Sequence, residues 1–101
     1  MSSTINLMDL EKILKKTEEA LLAIEVIDPK GEKILDMAER YVADAKHFIE
    51  KGELRVAFGA VEYAHGLLDG GVGAGVLKNT KPEKAHLFVF ENIEESGSVS
   101  E

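Results

Sequence analysis

Apolar residues recur at three- and four-residue intervals from about residue 8 to residue 27, the spacing of one face of an α-helix. Lysine and glutamate residues occupy the opposite side, and Asn6 or Asp9 is placed to cap the start. The pattern therefore predicts an amphipathic first helix. Its apolar stripe consists of Leu10, Ile13, Leu14, Thr17, Leu21 and Ile24.

A second helix is predicted over residues 29–51. It follows Asp28-Pro29, where aspartate suits the N-cap and proline suits the first helical position. Gly52 is placed to adopt the left-handed conformation that ends a helix. The residues expected on the buried face are Ile34, Met37, Ala38, Tyr41, Ala45, Phe48 and Ile49.

The third predicted helix, residues 53–69, begins so soon after the second that the two should form an antiparallel hairpin. Ten of the fifteen residues from Leu54 to Leu68 are apolar and two more are glycine. A helix that is apolar on nearly all sides needs extensive cover. Either a second subunit or another protein supplies part of that cover, or the small side chains of this helix allow close packing within one chain. The small side chains concerned are Ala57, Ala60 and Ala64.

The segment after Asp69 is rich in glycine, Gly70-Gly71-Val72-Gly73-Ala74-Gly75. These glycines either end the third helix or let another part of the backbone approach closely. They lack the Gly-Lys-Ser/Thr ending and the preceding strand of a phosphate-binding loop. Residues 78–84 are predicted to form a loop, and residues 86–90 to form a short β-prone segment that packs over the bundle edge or docks elsewhere.

Composition limits the classes of function. The 101 residues contain no cysteine, which excludes disulfides, thiolate zinc sites and a cysteine nucleophile. The net charge of −7 argues against nucleic-acid binding. No apolar run approaches the ~20 residues of a membrane span, and the N-terminus lacks a signal-peptide core, so a cytoplasmic protein without membrane contact is expected.

The predicted fold is all-α. Residues 1–90 are expected to form one domain, a three-helix, mostly antiparallel bundle with a short extended C-terminal segment. Residues 91–101 hold four acids and no bases and are expected to form an acidic disordered tail.

Three stretches of this sequence resemble the archaeal family known as domain of unknown function 357: residues 41–48, 51–53 and 57–69. The resemblance implies a small three-helix bundle from an archaeon. It also implies a domain that occurs alone or attached to a nucleotidyltransferase-like catalytic domain, and hence a nucleotidyltransferase-type enzyme as a partner. No such catalytic domain is present in this sequence, and the family implies no established activity.

Polar residues on the second and third helices suggest a metal site. Glu62 and His65 match the Glu-x-x-His ligand pair of di-metal bundles, and Asp44 and His47 offer a comparable pair on the second helix. In a hairpin turning at Gly52 the two pairs are staggered by roughly 7 Å, at 1.5 Å of rise per residue. The candidate metal ligands are Asp44, His47, Glu62, His65 and Asp69.

The same polar residues also permit a purely structural interpretation. Arg40 lies level with His65 and near Glu62, which predicts an ion-pair and hydrogen-bond network between the helices. RNA cleavage by an arginine–histidine pair is not supported. Arg40 and His47 are about 10 Å apart along one helix, too far to act on one phosphate. Every serine lies in a terminal segment, and no nucleophile elbow exists.

No convincing catalytic constellation therefore emerges, and no cofactor is expected. The sequence favours a non-catalytic accessory or protein-interaction module that binds a protein partner or self-associates through the third helix. The alternative is a bundle that binds a metal or small ligand through the residues named above.

Overall fold

The mostly helical architecture is confirmed for residues 6–89, the part of the chain that the computed structural model describes. Phe90 and the predicted tail, residues 91–101, lie outside the described residues. A small two-stranded sheet is an addition that the sequence patterns did not predict. The elements are α1 (Leu7–Ala23), β1 (Ile24–Val26), α2 (Pro29–Glu50), α3 (Leu54–Gly73), β2 (Leu77–Asn79) and a 3-10 helix (Pro82–Leu87).

Helix α2 has the predicted bounds to within one residue, because both of its ends carry strong local signals. The Asp28 side chain accepts a hydrogen bond from the Lys30 backbone N–H at 2.9 Å, and Pro29 opens the helix. Gly52 has a φ of +77°, the left-handed conformation that an L side chain rarely adopts. These two signals fix the position of α2 before any tertiary contact is considered.

Helices α2 and α3 make the most extensive contact between elements of the described chain. Tyr41 and Tyr63, equally far from Gly52 along the sequence, meet edge to face with ring centroids 4.7 Å apart. The contact is built around alanine, which lets helix axes approach closely. Four of these alanines are fully buried: Ala38, Ala45, Ala57 and Ala64.

The buried face of α2 differs from the prediction at Met37 and Val42, and Gly31 in its first turn is buried as well. Met37, expected inside, is 40% exposed, whereas Val42, not expected there, is buried. Ala38, Val42 and Ala45 follow each other at four- and three-residue spacing and form the centre of the stripe. Met37 therefore lies on its edge.

Helix α1 starts at the predicted cap, where the Asn6 side chain accepts from the Met8 backbone N–H at 2.7 Å. The predicted end at residue 27 is wrong, since the helix stops at Ala23. Residues Ile24–Val26 instead pair antiparallel with Leu77–Asn79. The loop predicted for residues 78–84 is wrong for the same reason, because its first residues form β2.

Helix α3 continues through the glycine-rich segment to Gly73, so its predicted end at residue 69 is also wrong. One of these glycines is required by packing: a Cβ on Gly71 would lie 2.4 Å from Leu77 Cδ1. Gly31, at the start of α2, would likewise place a Cβ 2.3 Å from the carbonyl oxygen of Val76. Gly71 thus allows the close approach of the Leu77 side chain, whereas the predicted close approach was that of another part of the backbone.

The β-prone segment predicted for residues 86–90 is not a strand where it is described. His86 and Leu87 end the 3-10 helix that begins at Pro82, and Phe88 follows in an extended conformation. Phe88 is fully buried in the core that α1, α2 and α3 share. Within residues 6–89, none of the helices combines the length and apolar composition that a bilayer crossing requires.

Candidate functional site: the groove between α1 and α3

His65 is the central polar residue of the site. It lies on α3, where it faces α1 and the C-terminal residues. Its Nδ1 is 3.1 Å from the Thr17 hydroxyl, and its Nε2 is 2.7 Å from the Leu87 carbonyl oxygen. A carbonyl oxygen only accepts, so Nε2 carries the proton and donates to Leu87. The Thr17 hydroxyl donates to Nδ1 in this tautomer, so both ring nitrogens are engaged within the chain.

Asp69 lies one helical turn beyond His65 and binds the backbone at Val89, two residues after Leu87. Its Oδ1 accepts a hydrogen bond from the Val89 backbone N–H at 2.8 Å. Phe88 lies between the two main-chain groups that His65 and Asp69 bind, and its ring centroid is 6.4 Å from that of His65. The polar stripe of α3 therefore fixes the backbone on both sides of a buried aromatic side chain.

A groove of about 330 Å³ runs between α1 and α3 at this place; we call it the α1–α3 groove. It is lined by Ile13, Lys16, Glu62, His65, Gly66 and Asp69. Three of the five candidate ligands, Glu62, His65 and Asp69, are thus brought together. Lys16 adds a positive charge beside the two carboxylates.

The other two candidates lie elsewhere. Asp44 and His47 are exposed on α2, and neither lines the α1–α3 groove. The His47 ring lies 5.9 Å from the ring of Phe48. Among residues 6–89, no group of three or more histidine, aspartate or glutamate side chains is arranged to hold a metal ion.

Arg40 and His65, predicted to share a network with Glu62, each contact other partners in the structure. Arg40 pairs with Asp36, one turn earlier on the same helix, at 3.0 Å. Both of those side chains are largely exposed, so the pair contributes little to stability. His65 points toward α1 and the C-terminal residues, because its two partners are Thr17 and Leu87.

Sequence reasoning missed Thr17, Leu87 and Val89 as members of the site. The sequence pattern places Thr17 in the apolar stripe of the first helix, and the structure shows that it is fully buried. A hydroxyl within an apolar stripe requires a hydrogen-bond partner, and that requirement was the available signal. The main-chain groups of Leu87 and Val89 carry no signal of their own in a sequence.

His65 holds the backbone at Leu87, and its ring nitrogens are not available for acid–base chemistry or for binding a metal in this arrangement. Both of its nitrogens are occupied within the chain, so the ring is neither a free base nor a free ligand. Asp69 retains one carboxylate oxygen beyond the bond to Val89, and Glu62 is exposed on the rim. What His65 and Asp69 bind in the structure is the main chain on either side of Phe88.

Comparison with known proteins locates the chain in one family. A family model described as "Protein of unknown function (DUF357)" matches residues 11–77, about two thirds of the chain. Searches of curated proteins and of solved structures found no match. Thr17, His65 and Asp69 all fall within the matched residues. The chain therefore belongs to the DUF357 family, the family that the residues of α2 and α3 resemble.

Proposed function

We propose that this protein is a non-catalytic accessory module of the archaeal cytoplasm, an antiparallel three-helix bundle that binds proteins. Its first partner in this proposal is a second copy of itself. The observation that carries the proposal is an exposed stripe along α3 at alternating three- and four-residue spacing. We call it the outer stripe; its members are Val56, Gly59, Tyr63, Gly66, Gly70 and Gly73.

The outer stripe has the spacing of a coiled-coil seam and is exposed along its length in the described chain, although the Tyr41 ring packs against Tyr63. Val56 is 50% exposed and Tyr63 is 52% exposed. A Cβ placed on Gly59, Gly66 or Gly70 would meet nothing within 4 Å. The other side of α3 is buried at Ala57, Val61, Ala64 and Leu68. Intrachain alanine packing therefore accounts for only one side of this apolar helix.

Glycine in an exposed helix costs stability. Each one costs about 1 kcal/mol relative to alanine, and packing inside the chain gives no reason for Gly59, Gly66 or Gly70. A second helix resting on the stripe supplies such a reason, because only glycine lets the two backbones approach closely.

The stripe is complementary to itself in shape. Consider two α3 helices packed antiparallel about a two-fold axis between Ala64 and His65. Tyr63 then lies opposite Gly66 of the second copy, and Val56 opposite Gly73. Large side chains meet glycines at each of these layers, as an isologous interface requires.

The use of the polar residues supports a role without catalysis. His65, Asp69 and Thr17 are engaged in holding the protein's own backbone. A nucleotidyltransferase-type enzyme, implied by the family resemblance, is the heterologous partner that this proposal allows.

The test is sedimentation equilibrium of the full chain over about two orders of magnitude in concentration. We expect a concentration-dependent dimer for the wild type. Tyr63→Glu should abolish it, because a charge would be buried opposite Gly66. Leu22→Glu is the matched control, since Leu22 is 77% exposed on α1, away from the outer stripe. A wild type that stays monomeric, or a dimer unaffected by Tyr63→Glu, would overturn the proposal.

A further inference from the structure

The outer stripe of α3 is narrow and offers little side-chain area. Glycine lets a second backbone approach closely, but it contributes no side chain to bury. Specific, stable interfaces bury about 800 Å² on each partner. Two copies that associate along α3 therefore need further contacts from an element beside the stripe. The glycines of the stripe are Gly59, Gly66, Gly70 and Gly73.

The two sides of the outer stripe differ in charge. On one side lies the α1–α3 groove, where Glu62 and Asp69 are negative and Lys16 is positive. On the other side lies α2, whose Tyr41 ring packs edge to face on Tyr63. Apolar residues at helical spacing share this side of α2 with Tyr41, and none of them is fully buried. We call them the α2 flank; they are Ile34, Met37, Tyr41 and Phe48.

Two-fold symmetry decides which side of the stripe joins the contact. A two-fold axis perpendicular to α3, between Ala64 and His65, brings each side of the stripe next to the same side of the second copy. On the groove side, Glu62 and Asp69 would then approach their own equivalents, and like charges repel. On the other side, apolar surface meets apolar surface, which is favourable to bury. The contact is therefore expected to extend over the α2 flank.

Met37 is the most exposed residue of the α2 flank, with 40% of its surface exposed. It precedes Tyr41 by four residues, and Gly66 follows Tyr63 by three, so both lie about one turn along the hairpin from the tyrosine pair. In the register described above, Tyr63 of the second copy lies opposite Gly66. A ring placed over this glycine reaches Met37, and methionine sulfur makes favourable contacts with aromatic rings.

We propose that two copies associate through the α2–α3 hairpin as a unit, with Tyr63 of one copy seated between Gly66 and Met37 of the other. The inference rests on the proposed function and adds α2 to the interface along the outer stripe. Because the interface is isologous, the contact occurs twice. Each copy supplies both the aromatic ring and the slot that receives it.

The direct test is an isotope-filtered NOE measurement on mixed dimers of the wild-type chain. Half of the chains carry isotope-labelled methionine methyl groups and half are unlabelled. Met37 is one of three methionines, so its methyl signal is assigned by its loss in Met37→Leu, and Tyr41→Phe separates the signals of the two tyrosines. We expect NOEs from the Met37 methyl of one copy to the Tyr63 ring of the other. The Met8 methyl, which is 63% exposed on α1, is the internal control and should show none.

Sedimentation equilibrium of Met37 variants adds a thermodynamic test. Met37→Glu should raise the dimer dissociation constant at least about tenfold, because a carboxylate would be buried against an aromatic ring. Met37→Leu keeps a similar apolar volume and should stay within about threefold of the wild type. Met8→Glu makes the same charge change away from the hairpin and should leave the constant unchanged. Circular dichroism checks that each variant is folded.

The outcomes separate this inference from the proposed function. A wild-type chain that stays monomeric overturns both. A dimer that Tyr63→Glu abolishes, but that shows no NOE from Met37 between copies and is unaffected by Met37→Glu, overturns only the inference and leaves an interface made by α3 alone. NOEs from Met37 to Tyr63 of the second copy, together with a weakened Met37→Glu dimer, support both.

Discussion

Gly70 and Gly71 are neighbours on α3 in opposite surroundings. A Cβ on Gly71 would lie 2.4 Å and 2.8 Å from two side-chain carbons of Leu77, and the Leu77 side chain is itself buried. We expect Gly71→Ala to lower the free energy of unfolding by about 1–3 kcal/mol through overpacking. Urea unfolding followed by circular dichroism measures this change.

Gly70→Ala is the matched control. A Cβ on Gly70 would meet nothing within 4 Å, so the better helix propensity of alanine should raise the free energy of unfolding by up to about 1 kcal/mol. The measurement is made at a concentration where the chain is monomeric, since Gly70 belongs to the outer stripe. Equal effects of the two substitutions would contradict the packing of β2 against α3.

His65 satisfies two buried polar groups at once, which makes a second prediction at this scale. His65→Ala leaves the fully buried Thr17 hydroxyl and the Leu87 carbonyl without their partner. We expect a loss of about 2–3 kcal/mol in the free energy of unfolding. Glu62→Ala, an exposed change on the same face of α3, should stay within about 0.5 kcal/mol of the wild type. Comparable losses in both variants would show that His65 does not hold these partners.

At the scale of a secondary-structure element, the start of α2 depends on Asp28. Asp28→Ala removes the acceptor for the Lys30 N–H and should cost about 1 kcal/mol. Asp28→Asn keeps an acceptor oxygen and should cost no more than a few tenths of that value. Thermal unfolding of the three chains, compared at equal concentration, checks the order. An alanine variant as stable as the wild type would mean that Pro29 alone sets this helix end.

The elements that the sequence predicted well are those whose signals are local. Asp28, Pro29 and Gly52 define α2 through caps and a turn. The elements it missed depend on distant partners. Residues Ile24–Val26 leave the helical pattern because they pair with Leu77–Asn79, more than fifty residues later. Nothing in the local spacing distinguishes them from one more turn of α1.

The same division holds for the candidate site. Helical spacing predicts that Glu62, His65 and Asp69 lie on one face of α3. Their partners could not be recognised, because the carbonyl of Leu87 and the N–H of Val89 are groups that every such residue has. If Leu87 and Val89 did not lie beside them, His65 and Asp69 would be available for other ligands. The position of the segment around Phe88 therefore decides whether these side chains hold the chain's own backbone or bind something else.

At the scale of the whole molecule, charge opposes the proposed self-association. The chain carries a net charge of −7, and two copies repel each other when they approach. The outer stripe itself is uncharged. The attraction between two copies would therefore come from apolar contact and from the close packing of the two α3 backbones. Glu62 and Asp69 border the stripe on one side and add local repulsion between the copies.

The sign of the salt dependence follows from this charge distribution. Raising the ionic strength shortens the Debye length from about 30 Å at 0.01 M to about 8 Å at 0.15 M, which screens the repulsion and leaves the apolar contact unchanged. We therefore expect the dimer dissociation constant to fall about threefold or more over this range, as measured by sedimentation equilibrium. Glu62→Gln should reduce that dependence, because it removes one negative charge per copy beside the stripe. A dimer that weakens as salt is added would mean that opposite charges hold the two copies together, and the interface would then lie on another face of the molecule.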